Sequence, residues 1–408
     1  MLPFEVPTGW LADDFEAMMM AVGAESPAGN GSGYASALSE HPDPVQAAMD
    51  VTAVVLERVG PGAELAVLFV TPPHRDALGD IADVVRSRLA PVTLLGAAAV
   101  AVLGHRREVE QSPAVSLFAA RLDPPAVPVR LHAERMGEEW QIDGFPADVA
   151  GARSMLLIAD PFTFPVDALL NRLGQDHPGL AVVGGMASAA TAPGANRLLV
   201  DDAWYVDGAI GALLADDVSP QAVVSQGCRP IGRPLIVTRA DGHIIHELAG
   251  RPALERLAAT LEHLPPVDRQ LAGQGLHCGV VIDETKAEFE RGDFLIRAVL
   301  GVDPATGAVA VGDTVPVGST VQFQVRDAAS ADEDLHAMLS GRTARGALVF
   351  TCNGRGRQLF GTPDHDATVI ADLLGTPALA GMFCAGELGP VGGRNAVHGF
   401  TASVAIFT

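Results

Sequence analysis

An internal repeat constrains this chain more than any other feature, because self-similarity at the level of whole elements limits the folds that can use it. Three segments read as short, continuously apolar strands: residues 66–71, 155–160 and 347–352. Each runs into a loop containing Pro or Gly and then into a helical pattern. The apolar positions of those patterns are Leu78, Ile81, Val85 and Leu89, then Leu169, Leu170 and Leu173, then Val369, Ile370, Leu373 and Leu374. A second strand follows and enters a run of very small residues, at 94–99, 182–188 and 379–387. After a polar, Gly-rich connection comes a third strand, at 114–122, 208–215 and 399–407. Ordinary α/β alternation without a common origin would give the same order of elements. The recurrence predicts a mixed α/β fold: two domains with mixed sheets flanked by helices, built around a strand-helix-strand-strand unit.

Residues 219–346 differ. Asp241-Gly242 between residues 235–238 and 244–245 is a hairpin signal. Residues 252–264 read as a helix opened by Pro252, and 294–302 with 308–311 as a second hairpin. Alternation over 320–326 predicts a strand covered on one face, and 332–339 reads as helical. Residues 1–33, ending in Gly29-Asn30-Gly31-Ser32-Gly33, read as an N-terminal extension.

Composition narrows the function. With 48% apolar and 19% charged residues among 408, the chain has material for a large core. A net charge of −22, with Lys286 as the sole lysine, argues against nucleic acid as a partner. Cys228, Cys278, Cys352 and Cys384 lie far apart with no Cys-x-x-Cys pair, which predicts reduced thiols in a cytoplasmic protein. Residues 1–20 carry acids where a signal peptide carries bases, and the longest uncharged run, 89–104, is shorter than the roughly 20 residues a membrane helix needs. No membrane partner is expected.

The common catalytic signatures fail. The lone lysine sits outside any Walker-type phosphate loop, and there is no Gly-x-Ser-x-Gly elbow and no His-Glu-x-x-His. His243 and His246, three apart in a predicted strand, point to opposite faces and cannot easily share a metal. Met18-Met19-Met20 reads as packing material. No metal or cofactor is expected.

One segment carries chemistry. Thr351-Cys352-Asn353-Gly354-Arg355-Gly356-Arg357 follows a buried strand directly. Its glycines let backbone N–H groups converge into an anion-binding nest, and Arg355 and Arg357 add guanidinium forks that suit a carboxylate or phosphate. If the repeat is real, this loop meets the small-residue run and Glu387 at the strand ends, where α/β folds place ligand crevices. The candidate site is therefore Cys352, Asn353, Gly354, Arg355, Gly356, Arg357 and Glu387, with Arg326 and His398 as neighbours. A guanidinium beside a carboxylate, lined by glycines, would suit an amino-acid zwitterion. Two other readings stand beside it. Cys352 could be a nucleophile, its thiol pKa lowered by the arginines, with His365 or His398 as base and Glu387 or Asp366 orienting it. Or the chain is a ligand-free interaction scaffold.

The residues also resemble a known family. Phe294-Leu-Ile-Arg297, Gly301-Val-Asp303, Val311-Gly-Asp313, residues 321–328 and 346–356, Gly386-Glu-Leu-Gly-Pro390 and residues 398–402 are similar to the C-terminal domain of FIST proteins (F-box and intracellular signal transduction). Leu95-Gly96, Gly104, residues 108–110 and Val183-Gly-Gly185 resemble the partner N-terminal domain, with residues 226–232 at the join. The resemblance divides the chain into an extension (1–33), a FIST N-terminal domain (34–219) and a FIST C-terminal domain (220–408). It implies a sensory role in signal transduction with a small ligand such as an amino acid, no established reaction, and a signal passed to a separate protein or through self-association. Where the family's first small-residue turn often carries a cysteine and a serine or threonine, this chain has Ala97 and Ala98, which shifts the expected ligand contacts to the C-terminal half.

Overall fold

The computed structural model describes residues 33–408 apart from 138, 148 and 150. The expected extension, Met18-Met19-Met20 included, lies outside the described residues save for Gly33.

The repeat is real in three dimensions. In unit one the first strand Leu65–Val70 leads through the helix Leu78–Leu89 to the second strand Leu94–Ala98 and ends in the third strand Val115–Ala120. Unit two uses Ala152–Ala159, Val166–Asp176, Ala181–Met186 and Ala209–Ala215 in the same order. Unit three uses Gly346–Cys352, His365–Leu374, Leu379–Cys384 and Thr401–Phe407. In each unit the first strand pairs parallel with the second and antiparallel with the third, so all three sheets are mixed. Even the register repeats. Leu68 lies opposite Gly96 and Leu117, Leu157 opposite Gly184 and Gly211, and Val349 opposite Gly381 and Val404. A further antiparallel strand edges each third strand: Tyr34–Ser39, Val127–Met136 and Gln221–Gln226.

The polar connections between second and third strands are not loops but short hairpins, each added to the sheet of a different unit. The hairpin of unit one (Val102–Gly104 and Arg107–Val109) extends the sheet of unit three. That of unit two (Leu198–Val200 and Ala203–Tyr205) extends unit one, and that of unit three (Glu387–Val391 and Arg394–His398) extends unit two. Gly96, Gly184 and Gly381 are the equivalent second-strand positions that receive Leu199, Leu388 and Leu103 of the incoming hairpins. At Gly184 and Gly381 a Cβ would collide with the backbone oxygens of Leu157 and Val349, so the strands there approach too closely for any side chain.

This exchange explains why the first strands are apolar throughout rather than alternating. Their inner faces, Val67 and Phe69, Leu156 and Ile158, Leu348 and Phe350, meet in one central core, where Phe69 and Phe350 pack edge to face at 6.1 Å. Their outer faces are covered by the units' own helices: Leu68 by Leu78, Ile81 and Val85, Leu157 by Leu169 and Leu173, Val349 by Ile370 and Leu374. Burial on both sides confines polar residues to the strand ends, at Arg153, Ser154 and Thr351.

The differing stretch begins and ends inside unit three. Gln221–Gln226 is that unit's edge strand, and the helix Ala328–Leu339, capped by Asp327, packs on its sheet. Between them an antiparallel barrel is inserted. Its strands Leu235–Asp241, Ile244–Leu248, Ala308–Val311, Phe294–Asp303 and Leu276–Val281 follow in order, and Thr320–Arg326 closes it by pairing with both the first and the last. Both predicted hairpins are present, with Gly242 at φ +57 in the first turn. Pro252 precedes the helix Ala253–Glu262 as expected. No helix among the described residues is long and apolar enough to cross a membrane.

Candidate functional site

The pseudo-symmetry shows where unit three departs from its sisters. At the start of each third strand an equivalent residue, Ala114, Gly208 or Thr401, has a backbone N–H that needs a partner. Thr71 Oγ1 accepts it in unit one (2.7 Å) and Thr163 Oγ1 in unit two (3.0 Å). In unit three Cys352 stands where Thr71 does, and the acceptor is Oε2 of Glu387, 3.1 Å from Thr401 N and 2.8 Å from Thr401 Oγ1. The positions equivalent to Glu387 are Val102 and Leu198, both in the central apolar core. Glu387 is 0% exposed, and its Oε1 accepts no hydrogen bond from the described residues. Burial pushes its carboxyl up to about 8, against the opposing pull of Thr401, Arg355 and the neighbouring Cys352 thiol. A buried acid with a spare oxygen is more than capping one amide requires.

Arg355 lies beside it, also fully buried. Nε and Nη2 fork onto Asp366 at 2.7 and 2.9 Å, and Thr351 Oγ1 and His365 Nδ1 complete the Asp366 shell at 2.7 and 3.0 Å. The guanidinium stacks over Phe360 at 5.2 Å. Burial alone would raise Asp366, but the charge and hydrogen bonds of Arg355 hold it well below the usual carboxylate range. Nη1 of Arg355 has no hydrogen-bond partner among the described residues. It faces the backbone of Gly227, where a Cβ would stand 3.1 Å away.

The glycines of the loop serve close packing. Gly356, at φ +60, sits under Phe383, and a Cβ on Gly354 would lie 3.0 Å from Arg326 Nη1 and 3.1 Å from the Phe400 ring. The amides expected to converge on an anion have other partners: Asn353 N donates to Cys384 O, Gly354 N to Cys352 Sγ, Arg355 N to Cys352 O and Arg357 N to Glu110 Oε1. Of the expected residues, Cys352, Gly354, Arg355 and Glu387 come together in the interior. The side chains of Asn353 and Arg357 are exposed. Arg326 reaches the group from the barrel, 4.9 Å over Phe400. His398 is the cross-strand partner of Glu387 but gives its Nε2–H to Gly389 O at 2.9 Å. Burial lowers its pKa to about 4, so the ring is neutral.

Two family models cover this architecture. The FIST N domain matches residues 64–251 and the FIST C domain residues 253–390. The chain belongs to the FIST family. An uncharacterised protein of Mycobacterium tuberculosis (strain H37Rv) is 45% identical over 379 residues, covering 91% of this chain and 98% of its own. An uncharacterised protein of Mycobacterium bovis is 45% identical over 374 residues, covering 90% and 96%.

In this FIST protein the candidate residues lie on the seam between unit three and the barrel. The ring of Phe400 packs edge to face on His277 at 4.3 Å, and burial together with Arg326 lowers His277 to about 4. Gln324, paired with His277 across strands, keeps a buried Nε2 with no partner among the described residues. Unit one reaches in as well: Glu108 Oε1 accepts from Ala367 N at 3.0 Å, at the start of the helix that holds Asp366. Burial and Asp366 push Glu108 up to about 8. Cys352 differs from the expectation of an activated thiol. Burial and Glu387 raise its pKa above the ordinary thiol value, outweighing Arg355, and both nitrogens of His365 are held by Asp366 and Asp332. Sequence reading missed Thr401, Phe400, His277 and Gln324. The signal for Thr401 is visible only in comparison with the sister units, where a threonine after the first strand does the work of Glu387; His277 and Gln324 belong to the inserted barrel, which has no counterpart there.

Proposed function

We propose that this FIST protein senses a small anionic or zwitterionic metabolite, an amino acid being the simplest candidate, at the seam around Glu387 and Arg355. One observation carries the reading: Arg355 Nη1 and Glu387 Oε1 are both buried, neither has a partner within hydrogen-bond distance among the described residues, and both residues act electrostatically on the same thiol, Cys352. Leaving such groups unsatisfied costs about 1–3 kcal/mol each, more when charged. A ligand carboxylate on Arg355 Nη1 with Arg326, and an ammonium on Glu387 Oε1, would recover that cost. Ligand binding between unit three and the barrel would bias their relative position and so a surface read by a separate signalling protein or a second copy. Four free, buried cysteines fit a reducing cytoplasm.

A thermal-shift screen against amino acids, other small carboxylates and nucleotides tests this, because a ligand that binds only the native state raises its stability by mass action. One class should stabilise the wild type and not Glu387→Gln. Titration calorimetry in buffers of different ionisation enthalpy then separates ligand types. An ammonium against Glu387 ionises it and releases a proton near neutral pH, whereas a simple anion does not. No stabilisation by any of these compounds at millimolar concentration sinks the proposal.

A further inference from the structure

A cavity of about 470 Å3 lies apart from the seam, between the start of the barrel and the helix Ala253–Glu262. Its size falls within the range of small-molecule sites. Its apolar lining comes from Leu235, Ala259 and Leu264, and its charged lining from Arg233 and Arg256, with His263 beside them. Among the described residues no carboxylate lines it, although the chain carries 49 acidic residues against 27 Lys and Arg. The nearby Glu255 is occupied by Arg251 at 2.9 Å.

The two arginines differ in how they are held. Arg256 donates from Nε to Leu248 O (3.1 Å) and from Nη2 to Ala249 O (2.9 Å), which fixes the guanidinium and leaves Nη1. Ala249 adopts φ +48 at the corner that supplies those carbonyls, a conformation uncommon for a residue with a Cβ and of the kind retained at functional positions. Arg233 makes no hydrogen bond or ion pair among the described residues. The cavity lies near the C-terminal end of the helix, whose carbonyls would repel an anion, but these are already engaged. His263 Nδ1–H donates to Ala259 O at 2.8 Å, His263 N to Thr260 O at 3.3 Å and Thr260 Oγ1 to Arg256 O at 2.9 Å. Gly232 packs against Thr260, and a Cβ there would clash with Thr260 Cγ2 at 2.6 Å, so Gly232 presents only backbone to the wall.

We propose that this cavity is a binding site, independent of the seam, for an organic anion with a carboxylate head and a compact apolar body. The head lies between Arg233 and Arg256, and the body against Leu235, Ala259 and Leu264. Arg256 is pre-organised by the barrel corner, and Arg233 closes onto the second carboxylate oxygen.

The test is calorimetric titration of the full chain with benzoate and with benzamide, its neutral isostere. Benzoate should bind at least about tenfold tighter than benzamide, the ratio expected for a charge-assisted hydrogen bond. Arg233→Gln, which breaks no intramolecular bond, should weaken benzoate about tenfold, and Ala259→Trp should abolish binding by filling the space. Loss of affinity in both variants, neither of which touches the seam, separates this site from it. No benzoate binding at millimolar concentration overturns the proposal, as does equal binding of benzamide or undiminished binding in both cavity variants.

Discussion

At the scale of single residues, the decisive event is the burial of charge inside an apolar layer. Glycines and arginines in the 352–357 loop suggest a surface nest, yet Arg355 is swallowed with Asp366, its partner eleven positions on. A buried pair of this kind is stable only while both members are present. Glu387 has no such partner, and its protonation links to folding. In the unfolded chain it releases its proton near 4.5, whereas in the fold it keeps it to about 8. Folding therefore takes up a proton between those values, so the stability Glu387 contributes is full below about pH 4.5 and falls as pH rises to about 8. Glu387→Gln should flatten the fall in Tm between about pH 6.5 and 8, leaving the slope due to Glu108, which is shifted in the same sense; below about pH 6.5 the lowered pKa values of His277 and His398 pull stability the other way. Parallel curves for wild type and variant would mean that Glu387 does not remain protonated in the folded state.

At the scale of elements, the first strands and their helices are readable because each has a single physical signature: a continuous apolar run, then apolar residues at helical spacing. The hairpins are not, because strands as short as Val102–Gly104 and Leu198–Val200 carry no period of their own and are ordered by the sheet they join. The receiving glycines distinguish the units. Gly381→Ala drives a Cβ into the Val349 carbonyl, which cannot move without breaking the sheet, whereas at Gly96 the nearest atom is the Leu199 side chain at 3.3 Å. Chemical denaturation should show a loss of about 1–3 kcal/mol for Gly381→Ala and less than about 1 kcal/mol for Gly96→Ala. Equal losses would show that the sheet of unit three is as yielding there as that of unit one.

For the whole molecule, the hairpin exchange makes the three units depend on one another. The second strand of unit two, Ala181–Met186, is covered by the hairpin Glu387–Val391, and that of unit three, Leu379–Cys384, by Val102–Gly104. Separated fragments 34–219 and 220–408 would each expose an unpaired sheet edge and half of the central core, both liabilities for aggregation. Expressed alone, each fragment should aggregate or lack cooperative unfolding, and co-expression should restore a single folded species. Two independently cooperative fragments would contradict the exchange as the source of stability.

The amino-acid sequence by itself determined the repeated unit, the place of its strands and helices, the inserted hairpins and the loop worth examining. These follow from local patterns: apolar runs, helical spacing, Asp-Gly turns and glycine clusters. Only the tertiary structure decided which sheet each hairpin joins, that Arg355 spends most of its guanidinium on Asp366, and that Glu387 replaces a threonine at the end of the third unit's strands. Those outcomes depend on contacts between residues far apart in the chain, where burial rather than local propensity sets the energy.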